Sequence, residues 1–403
     1  MQKVRQVILH LTSLEHGGAA QFTFDYHRQM LAKGYESYVA VRGHKCLFPD
    51  GTWHTIKHSS NKWERFKRYL FRKRIANLVI DKQYSVFNLC ERFTCHSAKD
   101  TLEALPNKPD VVYVHWVSDY ANAKFLSEIK KLTNAKIILI MIDHALFSGG
   151  CHYPGLCDGY KHGCESCPIS QSSIIQEAVR KNIVFKQKYL PKDCVIYANT
   201  SEDVANISQS TLYKNFIVEQ HIVRVDSTRY KPTENKSELR DQWNLPIAKK
   251  IIFFGSSHLD EPRKGMKVLL EALDKVSFPN VFYVVAGGKE LPYYKENMKI
   301  VGLLNESQLI EIYQLSDVFV CPSLADAGPM MVNQSLMCGL PVVAFPVGIS
   351  IDLVRTGETG YLAKFNDSQD LAQGIDFILS LNEDNYSKMS NNCRIQGLQL
   401  YAM

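Results

Sequence analysis

The sequence predicts an α/β protein built from two doubly wound, Rossmann-like domains. Three observations carry this. At 403 residues the chain exceeds what one hydrophobic core comfortably holds. Short apolar runs such as VILHL, KIILIMI and IIFFG read as strands buried on both faces. Stretches with helical spacing separate those runs, and the alternation of strand and helix specifies parallel sheets.

A strand over Val4–Leu11 opens the chain. Gly17-Gly18 makes the following turn, a helix spans Ala20–Ala32, and SYVAV is the second strand. The turn lets backbone approach a ligand and aims helix amides at an anion. It lacks G-x-G-x-x-G, so a nicotinamide dinucleotide site is not supported. The most basic stretch is Lys57–Lys82. Trp63, Phe66, Leu70, Ile75 and Leu78 lie near helical spacing there, with Lys and Arg between them. Such a helix either lies on an anionic membrane or is solvated with a stripe turned to the core. DVVYVHW (110–116) and KIILIMI (136–142) are the next strands, with a helix over 121–131 between them. Asp143 and His144 follow at a strand's carboxyl end, where open α/β sheets bind ligands.

Next comes a cysteine-rich loop, 149–168. Cys151, Cys157, Cys164 and Cys167 form C-x5-C-x6-C-x2-C, with His152 and His162 among them. The spacing is open to structural zinc, free thiols or disulfides, and a reducing compartment favours zinc over disulfides. Four Cys ligands would leave no open position for catalysis. A helix over 174–190 and the strand CVIYA complete the first domain, set at 1–226. The polar ENKSELRDQWNLP reads as a linker with a short helix. The second domain, 227–385, opens with IIFFG ending in Gly255. Arg263 and Lys264 then precede a helix from about Met266, and two cations at a helix amino terminus suit a diphosphate. Residues 317–348 read as strand, loop, helix and strand, with Asp326 and Gly328 in the loop.

Composition sets outer bounds. Hydrophobic content of 45%, charged content of 22% and net charge +6 are those of an ordinary globular protein. The basicity suits anionic substrates or an anionic membrane surface. It is too small for nucleic acid, and nucleic-acid-binding signatures are missing. Eleven cysteines, an odd number, exclude a fully paired disulfide framework. The start lacks a signal peptide's long apolar region, and no apolar run approaches a membrane span. A cytoplasmic protein, either free or peripheral on the inner face of the membrane, is expected.

The stretch 317–348 resembles the retaining glycosyltransferases of the GT-B fold, family 4. Their E-x7-E motif falls on Asp326 and Gln334, and their C-G-x-P-V-V ending on CGLPVV. Asp326 is one methylene shorter than Glu, and Gln334 is neutral. The wording GPMMVNQSLMCG and the pattern S-G-G-C-H-Y…C-x-x-C-P resemble a bacterial branch that makes cell-surface polysaccharides. The resemblance covers nearly the whole chain, is strongest over 255–362 and is weak over 43–107. HIVRVDSTRYKP stands where the family has N-G-x-D-x-x-x-F-x-P, with Val223-Arg224 in place of Asn-Gly.

The resemblance implies two domains facing an interdomain cleft. It implies transfer of a sugar from a nucleoside-diphosphate sugar to a glycan or lipid-linked glycan acceptor, with retained configuration, in capsule, exopolysaccharide or lipopolysaccharide O-antigen synthesis. Arg263 and Lys264 would bind the diphosphate, Asp326 the sugar and Gln334 the ribose. Gly17, Gly18, Gly255, Gly302, Gly328, Pro329 and Met330 would line the donor site. Asp143 and His144 would serve the acceptor side. No catalytic cofactor is implied, and no D-x-D motif is present. A tail helix over 386–403 would return to the first domain. Two alternatives share the fold: a nucleotide-sugar 2-epimerase and a non-catalytic nucleotide-binding subunit.

Overall fold

The computed structural model describes residues 5–15, 17–43, 51–56, 62–78, 87–93, 96–256, 258–288 and 295–403. Val4, and 57–61 and 79–82 of the basic stretch, lie outside the described residues. The chain divides into two units: residues 1–199 with 203–221, and residues 222–403 with 200–202. The division falls at 221/222, five residues before the expected 226/227.

The first unit contains β1 (Val7–Thr12), α1 (Gly18–Ala32), β2 (Glu36–Arg42), β3 (Trp53–Ile56), α2 (Lys62–Ile75) and α3 (Ala98–Glu103). It continues with β4 (Val111–Val114), α4 (Ala123–Thr133), β5 (Lys136–Met141), α5 (Ser173–Tyr189), β6 (Val195–Ala198), α6 (Ser201–Gln209) and β7 (Ile217–Gln220). Its sheet runs β3-β2-β1-β4-β5-β6-β7, and every pair is parallel. Leu9, Leu11, Val112, Val114, Leu139 and Ile196 form the heart of the core under α3, α4 and α5. The order reverses between β1 and β4, so a crevice is expected beyond their carboxyl ends.

The second unit contains α7 (Lys236–Gln242), β8 (Lys250–Ser256), α8 (Met266–Leu273), β9 (Val281–Gly287), β10 (Met298–Gly302), α9 (Glu306–Leu315) and β11 (Val318–Cys321). It continues with α10 (Met330–Met337), β12 (Val342–Ala344), α11 (Ser350–Leu353), β13 (Gly360–Leu362), α12 (Ser368–Leu379) and α13 (Glu383–Leu400). The parallel sheet runs β10-β9-β8-β11-β12-β13. Alternate residues of β8 feed opposite faces: Ile251 and Phe253 join one core cluster, Ile252 and Phe254 the other. The sheet is therefore covered on both sides, as a parallel sheet must be.

Two expectations are corrected here. The segment taken as a linker is anchored in the second unit. Arg240 of α7 is buried, donates to the carbonyls of Leu315, Ile247 and Lys249, and pairs with Asp317 at 2.7 Å. The terminal helix, expected to return to the first domain, is part of the second. Cys393 and Tyr401 enter its core, and the Tyr401 hydroxyl donates to the Asn333 carbonyl. Arg394 donates to the carbonyls of Tyr230, Met337 and Ser227. Among the described residues no helix is long and apolar enough to cross a membrane.

Candidate functional site

The strand order of the second sheet reverses between β8 and β11, and the candidate residues flank that point. After β8 the chain makes a single tight turn over Pro262–Lys264 and enters α8 through Gly265. Gly265 has φ +70°, and a Cβ there would sit 1.8 Å from the Pro322 carbonyl oxygen. Only glycine lets the two loops approach this closely. The contact is sealed by backbone bonds, since the amides of Leu324 and Ala325 donate to the Arg263 carbonyl at 2.7 and 3.3 Å. A third loop joins from β12. Gly348, at φ +55°, lies so near that a Cβ would meet the Asp326 carbonyl at 2.7 Å.

These backbones gather three charged side chains. Lys264 Nζ donates to Asp326 Oδ2 at 2.6 Å, and Arg263 donates to the same oxygen at 3.2 Å. Arg263 also pairs with Glu261 at 2.7 Å. The other oxygen, Asp326 Oδ1, accepts from the Gly328 amide at 3.3 Å. Burial pushes the Asp326 carboxyl up, but Lys264, Arg263 and the Gly328 amide outweigh it and hold the group below its ordinary value. The constellation is one carboxylate clasped by two cations, beside the Pro329 cap and the first residue of α10, Met330. An incoming diphosphate could replace the carboxylate on both cations. Gly255 and Gly302 stand at the ends of β8 and β10 on the same carboxyl edge.

Gln334 does not join this group. Its amide oxygen accepts from the Tyr313 hydroxyl at 3.0 Å, and its amide nitrogen donates to the Tyr230 hydroxyl at 3.1 Å. The side chain is buried, with both ends engaged inside the core, so the expected ribose contact is not what this arrangement offers.

In the first unit, Gly17 (φ +88°) caps α1 and Gly18 is its first residue, at the carboxyl end of β1. Asp143 and His144 follow β5 but part company. His144 Nε2 meets Asp203 of α6 at 2.7 Å, while Asp143 forms part of the wall of an open recess. The order Asp-His thus leaves the aspartate, not the histidine, facing that space.

The cysteine loop, open in sequence to structural zinc, free thiols or disulfides, brings its four cysteines to one recess. Among the described residues no set of three or more His, Cys, Asp or Glu side chains is gathered for one metal ion. Cys151, Cys157, Cys164 and Cys167 are unbridged and line one small recess. Burial, and then the neighbouring thiols, push the Cys151 thiol up, and burial raises Cys164 to about 11. Polar side chains of α5 hold the loop from behind. Gln176 exchanges bonds with the Cys167 backbone, Asn182 donates to the Gly149 carbonyl, and Lys186 Nζ donates to the carbonyls of Ala145 and Ser148.

Sequence reasoning missed Ser118, and it named His152 only as a residue within the cysteine loop. The two meet at 3.2 Å, with His152 also on Asp143 at 2.8 Å. No local signal joins them, because they come from separate loops.

The two sheets define an α/β protein whose second unit gathers two cations and a carboxylate at the carboxyl edge of its sheet. Residues 235–396 match the family model described as Glycosyl transferases group 1. The whole chain has the GT-B fold. It superposes on sucrose-phosphate synthase of Thermosynechococcus elongatus with TM-score 0.67 at 16% identity, over 99% of this chain and 95% of that one. It superposes on Anabaena HepE, solved with UDP and glucose, with TM-score 0.68 at 15% identity, over 99% and 96%. Phosphatidyl-myo-inositol mannosyltransferase of Mycobacterium leprae is 27% identical over 139 residues, 32% of this chain and 37% of that one. The chain thus spans little more than a third of that relative's length.

Proposed function

We propose that the chain is a glycosyltransferase that moves a sugar from a nucleoside-diphosphate sugar to an acceptor hydroxyl with retained configuration, in cell-surface polysaccharide synthesis. The observation that carries this reading is the Arg263–Lys264–Asp326 cluster at the strand-order reversal, inside the segment that matches the family model. In the reaction the bond between the anomeric carbon and the diphosphate oxygen breaks, and negative charge gathers on the diphosphate. Arg263 and Lys264 are placed to stabilise that charge, the largest electrostatic demand of the step. Asp326, released from them, would orient the sugar hydroxyls. HepE was solved with UDP and glucose, which makes UDP-sugars the first donors to test.

The acceptor in this reading is a glycan or lipid-linked glycan, reached from the membrane surface. Helix α2 supports that. Its outer face exposes Trp63, Phe66, Tyr69 and Leu70, among Lys62, Arg65, Lys67, Lys73 and Arg74. Phe71, Ile75 and Leu78 pack inward instead. Aromatic rings among cations suit the headgroup region of an anionic bilayer.

The test is a donor screen scored by nucleoside diphosphate release, with and without lipid-linked acceptor, beside an Arg263→Ala/Lys264→Ala variant. Release that depends on one donor and vanishes in the variant is expected. Nucleotide binding with no release from any donor would replace this reading with a non-catalytic nucleotide-binding subunit. Co-sedimentation with anionic vesicles, lost in Trp63→Ala/Phe66→Ala, tests the membrane step.

A further inference from the structure

The recess on the first unit lies beyond the carboxyl ends of β4 and β5, where a doubly wound sheet binds ligands. Its walls include Glu91, Trp116, Ser118, Asp119, Asn122 and Asp143. Among the described residues the lining holds three carboxylates and neither lysine nor arginine. The carboxylates are paired: Lys186 meets Glu91 at 2.8 Å, and Asp119 is met by Arg68, by Arg42 at 3.6 Å and by Arg72 at 3.8 Å. The lining itself therefore offers acceptor oxygens whose charges are balanced by paired cations, which suits a donor of hydrogen bonds.

One contact has its polarity fixed from behind. Asp143 Oδ1 accepts from the Ala145 amide at 2.7 Å, and Oδ2 faces His152 Nδ1 at 2.8 Å. An ionised carboxylate only accepts, so Nδ1 carries the proton. With only Nδ1 protonated, Nε2 is left as the acceptor for the Ser118 hydroxyl at 3.2 Å. Trp116 stacks on the His152 ring at 4.4 Å and holds its plane. Ser13 donates to the Ser118 carbonyl at 2.6 Å and fixes the backbone. The Ser118 proton is committed to His152, so toward the recess Oγ can only accept.

We propose that this recess seats a neutral, hydroxyl-rich ligand, and that Ser118, set by His152 and Asp143, is the positioning contact that accepts a hydrogen bond from one ligand hydroxyl. Resting on the transferase reading above, the ligand is the sugar or polyol end of the acceptor. Its carbon faces would pack on Trp116, and its hydroxyls would donate to Ser118 and to carboxylate oxygens of the wall.

The experiment is calorimetric titration of the full chain with methyl hexosides, their single-deoxy derivatives and the matching sugar 6-phosphates. Wild type, Ser118→Ala and Ser118→Thr are compared. Wild type should bind a neutral glycoside, bind one deoxy form about tenfold more weakly, and bind the phosphates more weakly still. The deoxy penalty should vanish in Ser118→Ala and persist in Ser118→Thr, which keeps the hydroxyl. A purely structural role for Ser118 would leave that penalty in place in the alanine variant and overturn the proposal. Phosphates binding as tightly as neutral glycosides would overturn it, as would a wild type that binds no glycoside. UDP titrated into the same samples separates the two readings. Glycoside binding without nucleotide binding sinks the donor site and leaves the recess standing, and the converse sinks only the recess.

Discussion

Replacing Asp326 with asparagine should weaken the empty protein yet tighten its grip on nucleotide. In the structure Asp326 Oδ2 satisfies both Lys264 and Arg263. The substituted side chain would be nearly isosteric and could still accept from the Gly328 amide, so the loop keeps its path. What is lost is the charge on two ion pairs whose members are each at most 20% exposed. Charge-assisted bonds of this kind contribute about 1.5–3 kcal/mol each. The cations are partly rehydrated once released, so a total near ~2 kcal/mol is reasonable. For a unit of this size that corresponds to a fall in Tm of roughly 4–8 °C. A diphosphate entering the wild type must first displace the Asp326 carboxylate, whereas in the variant only a neutral amide stands at that position, with Arg263 still paired to Glu261. Affinity for UDP should therefore rise, by about tenfold for 1.4 kcal/mol of competition removed. Under the proposed function turnover should be lost, because Asp326 is the group assigned there to orient the sugar. Thermal unfolding with and without UDP, with calorimetry, reads both effects. A Tm within about 1 °C of wild type together with unchanged or weaker UDP binding would show that Asp326 is not what holds the cations, and would refute the reasoning.

Three further outcomes are expected. Gln334→Leu removes two buried hydrogen bonds, to Tyr313 and Tyr230, and should cost about 1–3 kcal/mol in denaturant unfolding. Nucleotide affinity measured by calorimetry should change by less than about twofold, and a large loss would return Gln334 to the ribose. Gly265→Ala puts a Cβ 1.8 Å from the Pro322 carbonyl in a left-handed conformation. It should push the Arg263–Lys264 turn away and weaken UDP binding more than about tenfold, with circular dichroism unchanged. His10 and His115 lie buried side by side, Nδ1 to Nε2 at 3.0 Å. Burial holds both below the ordinary value, His115 at about 3. The unfolded chain binds those protons first, so stability is full above about pH 6.5 and falls as pH drops below it. Two such groups lose up to about 2.7 kcal/mol per pH unit, and a flat unfolding profile between about pH 6.5 and 5 would contradict this.

How much of this was legible in the sequence depended on what decides each feature. Strands such as VILHLT, KIILIM and KIIFFGS were readable because parallel strands covered on both faces are apolar almost throughout. WHTI and IVEQ were not, since β3 and β7 are edge strands with polar positions. The start of α9 carries a readable signal, the reciprocal Asn305–Gln308 cap. Arg263, Lys264 and Asp326 were legible as candidates because each stands in a loop that follows a buried strand and precedes a helix. Polar side chains within helices and long loops obey a different rule. Their direction is set by partners remote in sequence: Tyr230 lies 104 positions from Gln334, and Ser118 lies 34 from His152. The Gln334 site shows why the residue type follows from that geometry. Tyr313 gives its proton to the side chain while Tyr230 receives one from it. A carboxylate has no proton to give, so it could meet this pair only if the Tyr230 hydroxyl turned round; an amide meets both as they stand. The neutral residue at the second motif position is therefore accounted for by two tyrosines in the core, without reference to any nucleotide.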